Sequence, residues 1–437
     1  MASTQDDGAS PSTSGDVSLS TGRAMVRPML VASLTTVTAT LPLFQIGALA
    51  VQITDELAFG AAALGTAAGM AQAMRALVGA PVGRLVDRLG ATTSLRIGVG
   101  ISATASLGIA TTAFNWWSLV AWMLLASVGH TFTQPAANRF MINRVRASRL
   151  GIAFGVKQSG PPTSTMIAGL SVPILAVTVG WRWAYILAAA IAVAVLLFIP
   201  RSTTTKADRK SQRKKRSAPL PPLRDRSTLF VIAIGFGLGF LASAVIITFY
   251  VDSAVRAGVS EEIAGTMFAV ASVASIMVRL SIGVACDRTK FHPFRMCAIL
   301  LMIGTLGHAM FATAIPWVMS VGVIVALAGT WGFPSAFWLG LMRAYPEGPG
   351  RVTGLMAPAV LVGGGLGPMA FGLIAETISY RAAWTAGACI SFAASLGLVW
   401  SARRLDRRDT SDRATASQNA QTIEADVEPQ SSNDHTP

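Results

Sequence analysis

Three basic residues, Arg75, Lys157 and Arg279, stand deep within long apolar segments. No Asp or Glu shares their depth. Every acid falls in a loop, a tail or a segment end, with Asp252 and Glu376 at outer ends. Ionisable groups buried this way are costly and usually face a cavity or a partner. Arg can grip a carboxylate or oxyanion through two parallel N–H groups, and Lys serves as a point charge. The chemistry open to such a set is anion binding. The plainer alternative is snorkelling toward the nearer surface. Arg75 precedes Gly83 by eight residues, about 12 Å along a helix. Lys157 lies at comparable depth. Arg279 is only four residues from Gly283, so it could reach the interface or pair with Asp287.

Polar and aromatic side chains in the same segments could complete a site. They are Gln45, then His130, Gln134 and Asn138 on one segment, Gln158 beside Lys157, Tyr250, His308, Trp331 and Trp338. Taken singly, each reads equally well as an inter-helix hydrogen bond or as apolar bulk. Thr35, Thr36, Thr38 and Thr40 are expected to bond back to their own helix. No His/Cys/carboxylate cluster has metal-ligand spacing, and there is no phosphate loop or nucleophile elbow. The sequence therefore predicts no cofactor, no metal and no enzyme chemistry.

The segments that must position these residues are membrane spans. The chain has 437 residues, 52% hydrophobic and 13% charged, against roughly 25% charged for a soluble domain. Met29–Val51, Leu229–Val251 and Thr353–Ala375 are charge-free runs of 23 residues each, enough for a helix across a bilayer, which needs about 20. The runs are continuous, without the two-residue alternation of barrel strands. The sequence predicts an all-α integral membrane protein with twelve transmembrane helices in two pseudo-symmetric six-helix halves. The expected spans are 28–52, 61–82, 95–114, 116–138, 150–176, 181–199, 228–251, 261–285, 295–314, 316–341, 352–376 and 381–402.

The net charge of +14 is not a nucleic-acid signature, because 29 of the 35 Lys and Arg residues fall in alternate loops and the two tails. By the positive-inside rule both termini are cytoplasmic, and the even number of spans agrees. Arg23, Arg27, an apolar run and Ala48-Leu-Ala50 resemble a cleavable signal. Cleavage would leave five spans facing six, so the first helix reads as retained. Residues 1–27 and 403–437 read as disordered cytoplasmic tails flanking halves at 28–199 and 228–402. The basic stretch 200–227 reads as a cytoplasmic linker lying on anionic lipid. Cys286, Cys297 and Cys389 are expected to form no structural disulfide.

The halves share motifs. Gly83-Arg-Leu-Val-Asp87-Arg88-Leu-Gly90 follows the second span, and Gly283-Val-Ala-Cys-Asp287-Arg288 follows the eighth, 200 residues later. Trp181-Arg182-Trp183 pairs with Tyr380-Arg381-Ala-Ala-Trp384, and Gly160-Pro161 with Gly367-Pro368. Two six-helix halves, a basic central loop and these motifs resemble the major facilitator superfamily over about residues 25–403. Gly155-Val-Lys157-Gln158-Ser-Gly160-Pro161 bears a faint similarity to bacterial permeases of the cyanate and nitrate type.

The resemblance implies a multi-pass transporter of the cell membrane with one central site exposed alternately to each side. It implies that spans one, four, seven and ten line the cavity, which singles out Gln134, Asn138 and Trp331. It implies that Gly83, Asp87, Arg88 and Gly90, with the partial copy Gly283, Asp287 and Arg288, form a latch that breaks on opening inward. Gly160, Pro161, Gly367 and Pro368 would be hinges, since Pro bends a helix and Gly admits a neighbour; small-residue packing is the alternative. A bacterial source is a guess from the Ala- and Arg-rich composition. The leading substrate class is a small organic or inorganic anion. Proton-coupled efflux of drugs or metabolites is the rival, and a non-transporting membrane sensor stands behind both. Substrate identity, direction, coupling ion (a proton on His130 or His308 among the options) and oligomeric state are not legible.

Overall fold

The computed structural model describes residues 14–146, 149–200, 225–288, 291–345 and 349–427; within these, some side chains, including those of 14–25 and 283–288, fall outside the description. All described secondary structure is helical. In the first half the helices are α1 (Ser14–Ala48), α2 (Ala50–Leu57), α3 (Ala61–Leu89), α4 (Ala91–Thr112), α5 (Trp116–Ile142), α6 (Leu150–Gln158), α7 (Gly160–Ser171) and α8 (Arg182–Phe198), with a π-turn at Val172–Ala176. In the second they are α9 (Arg226–Arg256), α10 (Glu261–Arg288), α11 (Pro293–Ala312), α12 (Pro316–Thr330), α13 (Phe333–Ala344), α14 (Pro349–Thr377) and α15 (Tyr380–Val427).

Every expected span falls on helix. By length and apolarity alone, seven helices among the described residues could cross a membrane, or eight if α2 and α3 are joined. Those two meet at 111°, which is a turn between consecutive elements. Helical bonds instead run from α1 into α2, with Leu49 N donating to Gln45 O at 2.9 Å and Ile53 N to Leu49 O at 3.0 Å. The chain ends differ from the sequence reading. The first helix begins at Ser14 and the last continues to Val427, so helix extends into both expected tails. Once a helix is nucleated, good formers such as the Ala, Arg and Gln of 403–427 extend it at little cost. Residues 1–13, 428–437 and most of the linker, 201–224, lie outside the described residues.

The Trp-Arg repeat has a structural job in each half. Glu56, at the end of α2, accepts from Trp181 Nε1 and Arg182 Nη2, both at 2.6 Å. In the second half Asp252 accepts from the Tyr380 hydroxyl and pairs with Arg256 at 3.1 Å. Each carboxylate thus ties the outer end of its half's first span to the start of its last. Trp117 and Trp317, 72% and 71% exposed, ring this end as an interfacial aromatic belt would.

The core is divided unevenly. At the outer end one cluster takes Ile46 and Leu64 from the first half and Ile247, Phe268 and Phe371 from the second. At the basic end there are two clusters. One holds Val31, Val86 and Phe140, and the other Phe236, Phe294 and Phe337. One cluster therefore joins the halves at the end away from the basic loops, and at the basic end each half has its own. Cys297 is buried, with its Sγ 3.5 Å from Phe333 O, and Cys389 is exposed; Cys286 lies among the side chains not described.

Candidate functional site

The first-half cations converge on one face of α5. His130, Gln134 and Asn138 recur every four residues, which aligns them along a helix. Lys157 on α6 is 3% exposed, and its Nζ donates to Gln134 Oε1 at 2.7 Å. Arg75 on α3 places Nη1 3.5 Å from His130 Nε2. Arg75 Nε and Asn138 Oδ1 are buried without a hydrogen-bond partner among the described residues. Neither Arg75 nor Lys157 has a carboxylate within ion-pair reach among those residues. Two cations and the unused Arg75 donor beside His130 and Gln134 form an environment suited to a negative group, with Asn138 one turn further along the same face. His130 belongs to this cluster, and its four-residue spacing from Gln134 is the signal that places it there.

Arg279 has a different role. Its Nε donates to Trp331 O at 2.7 Å and its Nη1 to Gln158 O at 2.8 Å. Proline explains one of these acceptors. Pro162 has no N–H, so the Gln158 carbonyl four residues earlier loses its helical partner. Trp331 stands at the break between α12 and α13, where Ser335 N bonds to Gly332 O instead of Trp331 O. Pro334 likewise frees the Thr330 carbonyl, and the Ser243 hydroxyl takes it at 2.7 Å. Backbone groups released within a membrane must find a donor nearby. Arg279 therefore clasps a broken span of each half. Its guanidinium carbon lies 5.4 Å from the Trp331 ring centroid, and that ring meets Phe44 of α1 edge-on at 5.5 Å. Gln158 enters through its carbonyl and Trp331 through carbonyl and ring.

The remaining candidates go elsewhere. Gln45 donates to Ala184 O at 2.8 Å inside the first half. His308 directs its nitrogens at Gly304 O and Ala242 O, 2.8 and 3.1 Å away. Tyr250 packs against Phe268 and Phe311, and Trp338 against Phe236 and Phe337. The four threonines of α1 bond to carbonyls within their helix, and Thr40 also meets Ser164 at 2.5 Å.

In the loop motif, Asp87 pairs with Arg139 of α5 at 3.0 Å, a tie within the first half. Gly90 caps α3 at φ +86°, a backbone region that favours glycine. Gly83 has open space where a side chain would begin, and Arg88 is exposed. The side chains of Gly283, Asp287 and Arg288 lie outside the described residues. The hinge pairs are not alike. The fifth span breaks between α6 and α7 at Gly160-Pro161, whereas α14 runs unbroken through Gly367-Pro368. The fifth has two adjacent prolines, whereas Pro358 and Pro368 stand ten residues apart in α14 and each removes a single donor. Both glycines also serve packing. A methyl built on Gly160 would stand 2.8 Å from Thr36 Cγ2, and one on Gly367 2.7 Å from Leu241 Cγ.

The family model described as Major Facilitator Superfamily matches residues 29–368. No curated protein matches the chain by sequence. Among solved structures, a D-xylose-proton symporter aligns over 86% of this chain and 97% of its own, at 17% identity and TM-score 0.67. A bacterial homolog of the human lysosomal transporter Spinster, inward-facing and occupied, aligns over 89% and 97%, at 16% identity and TM-score 0.64. The nucleoside transporter NupG aligns over 86% and 99%, at 13% identity and TM-score 0.64. At these identities the likeness is one of fold.

Proposed function

The chain belongs to the major facilitator superfamily, and from that premise we propose that it is a secondary active transporter working by alternating access on a small organic or inorganic anion. The observation that carries this reading is Arg75 and Lys157 meeting His130 and Gln134 on one face of α5 with no carboxylate in ion-pair reach among the described residues. The basic end, taken as cytoplasmic from its charge, attracts anions toward the opening between the halves. A bound anion replaces the Gln134 carboxamide on Lys157 and takes up the idle Arg75 Nε. Rocking of the halves then exposes it to the other side. One fold neighbour is a proton symporter, which supports coupling to a proton as part of this reading.

The rival reading, efflux of hydrophobic compounds, is favoured by a groove of about 590 Å³ between α3, α5 and α14, lined by Met70, Met74, Leu77, Leu124 and Leu361. Methionines adapt to varied apolar shapes. Counterflow in proteoliposomes against a panel of small anions and lipophilic cations separates the two. Anion flux in the natural chain, reduced about tenfold to a hundredfold in Arg75→Gln and Lys157→Gln, is expected from losing one charged hydrogen-bond donor. Undiminished anion flux in Arg75→Gln defeats the anion site. Flux of lipophilic cations alone promotes efflux.

A further inference from the structure

A second groove lies away from the Arg75 and Lys157 cluster, on the flank of the second half. α11 and α15 pack side by side and leave a groove of about 500 Å³ at the basic end. Its walls are Ala298, Ile299, Met302 and Val399, and its rim carries Arg295 and Arg403. Ile299 is 47% exposed. Ser395 at the floor spends its hydroxyl on Ala298 O at 2.9 Å, so the wall there is apolar in effect. Arg295 to Met302 is seven residues, about 10 Å of helix. The groove therefore runs from its charged rim well into hydrocarbon depth. Trp400, one turn from Arg403 and Arg404, marks the head-group level; the Arg404 guanidinium lies 5.4 Å from its ring.

The charge around the rim is strongly one-sided. Six arginines and two aspartates line this groove and its two adjoining depressions. Arg295 pairs with Asp406, and Arg404 with Asp225 at 3.6 Å. Arg403 makes no ion pair among the described residues. We propose that this groove binds an anionic phospholipid, with its phosphodiester between Arg295 and Arg403 and one acyl chain against Ile299, Met302 and Val399. The bilayer is as apolar as the groove, so the chain supplies shape and little net affinity. Preference for an anionic head group comes from the arginines, about fivefold for Arg403 and less for Arg295, which shares its charge with Asp406. A soluble phosphate would leave the 10 Å apolar wall without a use.

The test is native mass spectrometry of the full-length protein titrated with dioleoylphosphatidylglycerol, dioleoylphosphatidylcholine or inorganic phosphate. The natural chain is expected to retain one phosphatidylglycerol at least tenfold more tightly than phosphatidylcholine. The double variant Arg295→Gln/Arg403→Gln should lose that preference, since no rim cation is left beside the phosphodiester. Ile299→Trp fills the groove with both arginines intact and should also release the lipid. Unfolding temperatures in phosphatidylcholine should match across the variants, since the Arg295 pair is a surface one. Equal retention of the two lipids, full retention by either variant, or displacement by equimolar inorganic phosphate overturns the proposal. So does tighter phosphatidylglycerol binding after deletion of residues 428–437, which would make that acidic segment the occupant.

Discussion

The outer and basic ends of the molecule are built from the same helices and packed by opposite rules. At the outer end the halves meet backbone to backbone. A methyl on Gly47 would stand 1.9 Å from Ile247 O, one on Gly65 2.0 Å from Pro368 O, and one on Gly372 2.3 Å from Ala61 O. At the basic end, methyls on Gly79, Gly83 and Gly155 would meet nothing within 4 Å. Bonds between the halves follow the same gradient. Gln52 donates to Glu261, the Ala62 amide to Glu376 at 2.7 Å, and Thr165 meets Ser272 at 2.7 Å, from mid-depth outward, while the bonds from Gln72 to Val360 O at 3.4 Å and from Arg279 to Gln158 O at 2.8 Å lie nearer the middle. The structure is thus open toward the basic end. The outer seam is sealed mostly by close apolar contact with few polar bonds, which lets it part without stranding many buried groups.

The largest effect should come from filling that seam. Gly47→Val puts a branched side chain against a main-chain carbonyl, which cannot rotate away as a side chain could. Overpacking typically costs about 1–3 kcal/mol, and a backbone neighbour puts this variant at the upper end. A cysteine introduced at Thr54 should become reactive toward an impermeant thiol reagent in the Gly47→Val background. The matching changes Gly83→Ala and Gly155→Ala should leave thermal unfolding unchanged or raise stability by about 0.4–1 kcal/mol. Equal damage at both ends would erase the contrast.

Arg279 comes next, because it joins the two halves near the middle of the gradient. Arg279→Met leaves the Gln158 and Trp331 carbonyls without their donor, at about 1.5–3 kcal/mol for each charged hydrogen bond lost. Arg279→Lys should recover only part of this, since one ammonium cannot reproduce the guanidinium fork. Thermal unfolding without any ligand reads the effect. If Arg279 were chiefly an anion ligand, the Lys variant would keep its stability and change only anion affinity.

Glu376 should matter less. Its carboxylate caps the first turn of α3 from the other half, an interaction of about 1 kcal/mol. Glu376→Ala should shift the balance toward an outer-open state by roughly fivefold, read as a longer spin-label distance across the outer ends of α3 and α14. No shift would mean that apolar contact alone holds the seam.

How much of this was readable in the sequence depended on the kind of signal. The repeated Trp-Arg and Gly-Pro segments were visible as words, and the deep cations stood out because little else in those spans is charged. The direction in which each cation points was not visible. A helix apolar on all sides gives no periodicity to orient it, since lipid and protein interior are equally apolar. Arg279 therefore read as another anion ligand, though Gly332 and Pro334 could have flagged the broken tenth span whose Trp331 carbonyl it takes. His130 was not assigned to the cluster from the sequence, although its four-residue spacing from Gln134 could have placed it there. The asymmetry between the two ends was not legible, because opening is a property of the state and both states share one sequence.

The smallest expected effect lies at the basic end, where the second half must hold its shape without the first. Asp225 caps α9. Its carboxylate accepts from the Thr228 amide at 3.1 Å, the Thr228 hydroxyl at 2.5 Å and the Ser227 hydroxyl at 2.9 Å. Burial pushes its carboxyl up, but the bonds from Thr228 and Ser227 and the charge of Arg404 outweigh that and hold it below the ordinary carboxylate range. A depressed folded-state value means the stabilisation is complete above the unfolded value of about 3.9. It is lost as pH falls through the folded value. Asp225→Ala should cost about 1 kcal/mol at neutral pH, as lost N-caps do. The difference from the natural chain should stay constant from pH 7 to about pH 5 and shrink only below about pH 4. Unfolding temperatures of the two chains across that range decide it. A difference that vanished near pH 6 would assign the cap to another titrating group.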